Sequence, residues 1–289
     1  MKQLNLFIEL TRLKKPIGFM LLFWPCAWGL TLAYDFSNSL NNYFFYISLF
    51  FLGSVLMRSA GCIINDIFDK DFDKKVFRTK NRPIASGKIS VKLGLIYSIL
   101  ICLLALTILL NFNYFTIILA LGSMPLAFSY PLMKRYTYWP QLFLGITFNY
   151  GLILGWVCIK SEIDIIPVIF YLGAIFWTLG FDTIYGFQDI KDDEIIGIKS
   201  TSIKFKENPN FFLILCYLMF IISLFCVGVF MKFSYIYFLF IALPIFHLFF
   251  YQIKNFSIKD SKKILRIFKS NNLLGLIILI NILIGKILA

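Results

Sequence analysis

Nine long apolar runs occupy most of this 289-residue chain. Each is close to the roughly 20 residues that an α-helix needs to cross the hydrocarbon core of a bilayer. The runs lie near residues 17–34, 43–64, 91–110, 114–130, 139–159, 165–187, 211–231, 234–251 and 271–288. Because a segment in lipid must satisfy its own backbone hydrogen bonds, such runs form helices. The sequence therefore predicts an all-α integral membrane protein with nine transmembrane helices.

Two segments beside these runs allow another interpretation. The first run follows Lys14 and Lys15, as the apolar part of a secretory signal does, but it has no cleavage site of small residues. We expect it to remain as a membrane helix. The Lys-rich segment 254–269, before the ninth run, is predicted to be a solvated or lipid-surface loop.

The lysines and arginines indicate which helix ends share a membrane face. Of the 28, all but Arg58, Lys160, Lys232 and Lys286 lie before the first run or near the loops after the second, fourth, sixth and eighth. The positive-inside rule then places the N-terminus in the cytoplasm and, with nine spans, the C-terminus outside. The net charge of +13 is thus explained by topology, and no nucleic acid is expected as a partner.

Two acidic clusters follow the second and sixth runs, on the same predicted face. The first contains Asp66, Asp69, Asp71 and Asp73, and the second contains Asp189, Asp192, Asp193 and Glu194. Each cluster is followed by a stretch rich in Lys and Arg. The matching positions suggest a parallel repeat of two four-helix units within one membrane domain, 1–289. The pseudo-repeats would cover about 12–135 and 136–255, with an appended helix at 271–288.

Helical spacing sorts the acidic residues by face. At about 100° per residue, Asn65, Asp66, Asp69 and Asp73 share one face, which we call the first array, while Asp71 points away. In the second cluster Asp189, Asp192 and Asp193, the second array, share a face with Asp182 and Tyr185. Glu194 points elsewhere.

Carboxylates this close repel each other unless cations lie among them. Oxygen ligands in this number suit Mg²⁺ or Ca²⁺, and Mg²⁺ typically binds one or two carboxylates together with waters and substrate phosphates. Charged residues at a membrane face can also simply mark the water interface. Two arrays in matching loops, each followed by basic residues, favour a site for Mg²⁺ and a diphosphate. A secondary transporter is the alternative outside the enzymes, although here the charge lies at one face only.

The motifs resemble those of the UbiA superfamily of membrane prenyltransferases, over about residues 12–206. The segments that carry the resemblance are 65–73 (NDIFDKDFD), 78–83 (RTKNRP), 129–137 (SYPLMKRYT), 182–189 (DTIYGFQD) and 192–200 (DDEIIGIKS). The sequence departs from the family in one place: Lys14 occupies the position before the Lys-Pro-Ile-Gly run, where the family usually has an Asp. This departure makes a role for that segment doubtful.

The resemblance implies a Mg²⁺-dependent transfer of a polyprenyl group from a polyprenyl diphosphate to the ring carbon of 4-hydroxybenzoate, in ubiquinone biosynthesis. Haem, homogentisate and naphthoate are alternative acceptors within the superfamily. The expected location is a bacterial inner membrane, with the site on the cytoplasmic side.

The expected roles of the residues follow from this reaction. The arrays would bind the metal, with Asp69 and Asp189 catalytic together with Arg135. The residues expected at the diphosphate are Arg78, Lys80, Arg82, Tyr130, Lys134, Arg135 and Lys199. Arg58 is the one basic residue well inside a run. It either pairs with Asp182 or a backbone carbonyl, or binds the carboxylate of an aromatic acceptor. Arg58, Asp182 and Tyr185 are the predicted acceptor residues.

Overall fold

The computed structural model describes residues 2–288, and all regular structure in that range is helical. Nine long helices coincide with the nine apolar runs. Their bounds are α1 Ile17–Ala33, α2 Leu40–Phe68, α3 Val91–Leu109, α4 Tyr114–Ser129, α5 Pro140–Lys160, α6 Ile165–Gly186, α7 Pro209–Phe230, α8 Tyr235–Ile253 and α9 Ser261–Ile287. A short N-terminal helix, Lys2–Thr11, precedes them. The predicted all-α membrane fold is confirmed.

Eight helices within residues 2–288 are long and apolar enough to cross a membrane, by length and composition. The exception is α1, which has 17 residues. At 1.5 Å per residue it spans about 25 Å, against a hydrocarbon core of about 30 Å. Other helices bury it from Leu21 to Ala33, except at Leu22. The predicted count of nine spans and the orientation of the N-terminus are therefore not confirmed.

Glycines bring the backbones of α1 and α5 together. A Cβ atom on Gly29 of α1 would meet the carbonyl group of Leu152, and one on Gly155 of α5 would meet the backbone of Cys26 and Leu30. Small residues allow such close packing between membrane helices, whose association depends on van der Waals contact. Helix α1 thus lies inside the bundle, in contact with α2, α5 and α9.

A buried polar network joins α9 to three other helices. Asn271 Oδ1 accepts hydrogen bonds from Trp177 of α6 at 2.8 Å and from Gln252 of α8 at 3.0 Å. Gln252 in turn accepts from the hydroxyl of Tyr217 in α7 at 2.6 Å. Because polar groups in a membrane interior are expensive unless paired, this network fixes the position of α9.

The predicted loop 254–269 is helical in its second half. Helix α9 begins at Ser261, where the side chain of Asp260 accepts a backbone N–H of the first turn at 3.0 Å. Ile264 and Ile267 are buried, so the first turns of α9 are amphipathic. The loop prediction was wrong here. The buried pair Ile264 and Ile267, in a segment rich in lysine, is too short a pattern to distinguish a helix from a loop.

Helices α2 and α6 end at the same face of the bundle. Each is followed, after one break, by a short helix, Lys70–Asp73 or Ile190–Ile195. Asp69 and Asp189 stand at the two breaks, immediately before these short helices. This layout places both arrays at one face. The boundaries of the two pseudo-repeats stay a prediction.

Candidate functional site

The first array is buried at the end of α2. Asp66, Asp69 and Asp73 are only 2%, 3% and 6% exposed. Asp71, by contrast, is exposed and pairs with Lys74 at 3.3 Å. Helix α2, the break and the short helix contribute one buried carboxylate each, so the helical face continues across the break. The predicted division between this face and Asp71 is confirmed.

Two arginines bind the carboxylates at either end of the first array. Asp66 Oδ1 accepts from Arg12 at 2.5 Å and from Arg82 at 3.2 Å. Arg82 also binds Asp73 Oδ2 at 2.8 Å, so it joins the two carboxylates. Sequence reasoning counted Arg12 only for topology, and no spacing rule could have found its role, because 54 positions separate it from Asp66.

Asp69, in the middle of the first array, is bound on one side only. Its Oδ2 accepts from Lys134 Nζ and, at 3.0 Å, from the amide of Asn65. Its Oδ1 is buried and has no hydrogen-bond partner among residues 2–288. Burial raises the pKa of Asp69, and Lys134 opposes this effect.

The free oxygen of Asp69 is part of a pattern in the first array. The hydrogen bonds found within residues 2–288 involve only Oδ1 of Asp66 and only Oδ2 of Asp73. Each of the three carboxylates therefore has one oxygen held by a cation and one that is free to bind a further ligand.

The second array is held differently, through the loop that follows α2. Arg78 binds both oxygens of Asp189, with Nε at 2.8 Å from Oδ1 and 3.0 Å from Oδ2. It also donates to the hydroxyl of Tyr185 at 3.4 Å. The neighbouring backbone N–H of Phe77 donates to Asp192 at 3.3 Å. The loop after α2 is thereby docked on the second array.

Asp193 forms no ion pair within the described chain. Burial and the nearby Asp189 raise the pKa of Asp193 to about 7. Glu194, which was predicted to point away, is exposed and pairs with Lys206 at 2.7 Å. The charge of Asp193 thus depends on nearby cations.

The remaining predicted diphosphate residues contact backbone or aromatic groups. Arg135 donates to the carbonyl of Phe68 at 2.6 Å, and Lys199 donates to that of Tyr136 at 3.2 Å. Lys80 is exposed and lies 4.7 Å from the centre of an aromatic ring in its own loop. Arg135 and Lys199 therefore lie beside the arrays, whereas Lys80 would have to turn inward to reach them.

Of two cavities, the smaller is lined by members of both arrays. The larger, of about 670 Å³, lies among helices α1 to α5 and has a largely apolar lining that includes Arg58, Tyr130 and Phe148. The smaller has a volume of about 170 Å³. Its polar lining consists of Asn65, Tyr130, Gln141, Asp182, Lys134, Asp193, Lys199 and Ser200. Tyr130 lines both cavities, so it marks the place where they approach each other.

The three predicted acceptor residues have different surroundings. Arg58 faces the larger cavity, with its guanidinium 5.2 Å from the ring centre of Phe148. Asp182 lines the smaller cavity and makes no ion pair with Arg58 in the part of the chain described. Tyr185 packs on Phe268 of α9, with ring centroids 4.3 Å apart. Sequence spacing could not show these surroundings, because they depend on how the helices pack.

The donor groups of the arrays suit Mg²⁺, although they do not form a complete cage. No group of three or more Asp, Glu, His or Cys side chains within residues 2–288 could hold a metal ion by itself. Mg²⁺ seldom needs such a cage, because waters and phosphate oxygens usually complete its octahedron. The free and buried Oδ1 of Asp69 is a donor of the right kind. The residues therefore fit a metal that binds together with a diphosphate.

These features define an integral membrane protein with two acidic arrays at one face of a helical bundle, next to a large apolar cavity. The chain belongs to the UbiA prenyltransferase family, which it matches over residues 22–275. The matched range contains both arrays and every helix from α2 to α8.

Several curated relatives carry the name mitochondrial 4-hydroxybenzoate polyprenyltransferase. The Bos taurus protein is 43% identical over 99% of this chain and 76% of its own length. The Homo sapiens protein is 48% identical over 72% of this chain. That match spans only 56% of the human protein, and the same share of the Rattus norvegicus protein is covered. Because these relatives are mitochondrial, the comparisons do not support the expected bacterial inner membrane.

Solved structures share the fold. A UbiA homologue from Aeropyrum pernix superposes with a TM-score of 0.77 at 21% identity, over 93% of this chain and 98% of that one. An Archaeoglobus fulgidus homologue bound to GPP and Mg²⁺ gives 0.71 at 20% identity, over 96% and 99%. The whole helical bundle thus follows a known architecture.

Proposed function

We propose that the protein transfers a polyprenyl group from a polyprenyl diphosphate to a ring carbon of 4-hydroxybenzoate, with Mg²⁺, in ubiquinone biosynthesis. One observation carries the proposal. Three buried carboxylates, each with a free oxygen, lie among basic side chains beside an apolar cavity of about 670 Å³. The names of the relatives support the choice of substrates.

The arrays are proposed to hold the metal, which supplies positive charge to stabilise the departing diphosphate. The proposed ligands are Asn65, Asp66, Asp69, Asp73, Asp189, Asp192 and Asp193. Asp69 and Asp189, at the two helix breaks, are proposed as the catalytic members. The free oxygens of the first array are proposed as the donor atoms.

Arg78 holds both oxygens of Asp189, so it competes with a metal for this carboxylate. We infer that Arg78 exchanges partners and binds the diphosphate of the donor, for which its planar guanidinium is well suited. The other side chains proposed to bind the diphosphate are Lys80, Arg82, Tyr130, Lys134, Arg135 and Lys199. Together they concentrate positive charge where the leaving group acquires negative charge.

The larger cavity is proposed to bind the polyprenyl chain. Its apolar lining keeps water away from the allylic carbon, which becomes cationic as the diphosphate departs. The rings of Tyr130 and Phe148 meet edge to face, with centroids 6.4 Å apart. Aromatic faces at this place favour a nearby cation.

Arg58 is proposed to bind the carboxylate of the acceptor. It faces the same cavity as the polyprenyl chain and forms no ion pair among the described residues. A guanidinium in such surroundings needs an anion, and an aromatic acid provides one. Asp182, in the adjoining cavity, is proposed to act on the phenol side of the acceptor. The packing of Tyr185 on α9 gives it less access to the substrate.

The topology is part of the proposal. Arg12 binds Asp66 of the first array, and Arg78 from the loop after α2 binds Asp189 of the second, which supports one common face for the N-terminal helix and both arrays. Near the other end of α9, Lys286 donates to the carbonyl of Leu32 in α1, at the opposite face. The basic residues concentrate at the array face, so we propose that this face is the cytoplasmic or equivalent inner side.

A panel of acceptors tests the proposal. Purified protein is given Mg²⁺, a polyprenyl diphosphate and, in separate reactions, 4-hydroxybenzoate, homogentisate, a naphthoate or haem, and products are identified by mass. We expect a prenylated 4-hydroxybenzoate as the main product. Prenylation of another acceptor alone would reject the substrate while keeping the reaction class, and no prenylation at all would reject both.

A further inference from the structure

Arg12 reaches the first array from the end of the N-terminal helix. Its guanidinium lies 2.5 Å from Asp66 Oδ1 and 3.5 Å from the sulfur of Cys62. Arg82 binds the same oxygen of Asp66 at 3.2 Å. Because both arginines bind Oδ1, they fix the rotation of the carboxylate and leave Oδ2 for another ligand.

The backbone at Arg12 is unusual. Its φ is +57°, in the left-handed region that residues with a Cβ atom rarely adopt. Two backbone hydrogen bonds hold the turn. The N–H of Arg12 donates to the carbonyl of Glu9 at 3.2 Å, and the N–H of Lys15 donates to the carbonyl of Arg12 at 2.8 Å. A glycine would fit this turn more easily. Disfavoured conformations of this kind cluster at functional sites, where a side chain is needed in one place.

Apolar contacts attach the N-terminal helix without Arg12. Leu10 is fully buried in a cluster with Ala60 and Ile63 of α2. The ring of Phe7 meets that of Tyr97 in α3 edge to face, at 5.2 Å. The bond from Arg12 to Asp66 is therefore not the only attachment of this helix, and it has another effect, which is to orient the carboxylate.

We propose that Arg12 is a positioning residue of the metal site, which holds Asp66 so that its Oδ2 stays available to a divalent cation. The inference rests on the metal site under Proposed function. Lys15 supports the placement of this segment, because burial and then Arg12, Arg78 and Arg82 lower the pKa of Lys15.

Metal binding tests this role without any assay of transfer. Mn²⁺ is titrated into purified protein with inorganic pyrophosphate, and free Mn²⁺ is followed by electron paramagnetic resonance. Arg12→Gly suits the left-handed turn and removes only the side chain. We expect its Mn²⁺ dissociation constant to rise about 10- to 100-fold, the usual effect of losing a group that orients a metal ligand. Arg12→Lys should recover part of the loss. The matched control is Lys14→Gln, an exposed neighbour, which should bind Mn²⁺ as the wild type does.

Each outcome supports or overturns the proposed role of Arg12. If Arg12→Gly lowers the unfolding temperature but leaves the Mn²⁺ dissociation constant unchanged, Arg12 only anchors the helix and the inference is wrong. If Arg12→Gly does not fold, Arg12→Gln decides by the same criterion. If the wild type itself binds no Mn²⁺, the metal site under Proposed function fails, and the inference fails with it. A wild type that binds Mn²⁺ beside variants that bind it equally well overturns the inference alone.

Discussion

The two arrays have similar positions but different surroundings. In the first array, cations from three separate parts of the chain bind one oxygen of each buried carboxylate and leave the other free. In the second array, Arg78 binds both oxygens of Asp189, and Asp193 has no ion pair within residues 2–288. The first array therefore has free oxygens for a further ligand, whereas in the second array Arg78 competes with any further ligand of Asp189.

This difference separates two tasks. A buried carboxylate with a fixed orientation keeps its geometry through the reaction. A carboxylate that exchanges an arginine for a metal responds to the arrival of the substrate, because the diphosphate offers Arg78 a new anion. We therefore propose preformed binding at the first array and substrate-dependent closure at the second.

Removal of one carboxylate from each array should have the largest effect. Asp69→Ala and Asp189→Ala should each lower kcat by about 100- to 1,000-fold, since each removes preorganised electrostatic stabilisation of the leaving group. Asp71→Ala, an exposed neighbour, is the control and should keep full activity. Membrane insertion is checked by extraction and gel filtration. An active Asp69→Ala or Asp189→Ala enzyme would exclude its array from the metal site.

Arginine substitutions should separate the arrays by stability. Arg82 bridges two buried carboxylates, so Arg82→Ala should lower the free energy of unfolding by about 3–5 kcal/mol. Arg78 is 39% exposed, so Arg78→Ala should cost only about 0–1 kcal/mol. Thermal unfolding in detergent measures both. Equal losses would mean that the first array is no more rigidly held than the second.

Arg58 should affect the acceptor and leave the donor unchanged. Arg58→Lys keeps the charge without the planar fork, and Arg58→Met loses both. The Michaelis constant for 4-hydroxybenzoate should rise in that order, by about 10- to 100-fold for Arg58→Met, as expected for a lost charge-assisted hydrogen bond. The constant for the diphosphate should stay the same. An equal rise for both substrates would make Arg58 a structural residue.

The second array should make metal binding depend on pH. Asp193 has a raised pKa of about 7, so it carries a proton at lower pH and a metal ion must displace that proton. Between pH 8 and pH 6 the Mg²⁺ concentration for half-maximal activity should rise about tenfold. Asp193→Asn should remove most of this dependence. A dependence that survives the substitution would assign the titration to another group.

The sequence predicted the elements that depend on local pattern. Apolar runs located the nine long helices, and the spacing of Asp66, Asp69 and Asp73 predicted the buried face of the first array. The partners of these carboxylates could not be predicted in the same way. Arg12 lies 54 residues from Asp66, and Arg78 lies 111 residues from Asp189, so only the packed bundle brings them together.

The start of α9 and the positions of the predicted acceptor residues could not be predicted from the sequence either. Ser261 begins a helix because Ile264 and Ile267 find a core to pack against. Arg58 and Asp182 face different cavities because of how the helices pack. Tertiary packing decides both features.

The central claim is that the arrays act through a divalent cation shared with the diphosphate. The most direct test is transfer of a labelled polyprenyl group to 4-hydroxybenzoate by purified protein in excess chelator, followed by addition of Mg²⁺ beyond the chelator. We predict no product in chelator and full recovery with Mg²⁺. Without the cation, no positive charge offsets the negative charges of the carboxylates and of the leaving diphosphate when they lie side by side. Undiminished transfer in excess chelator would contradict it.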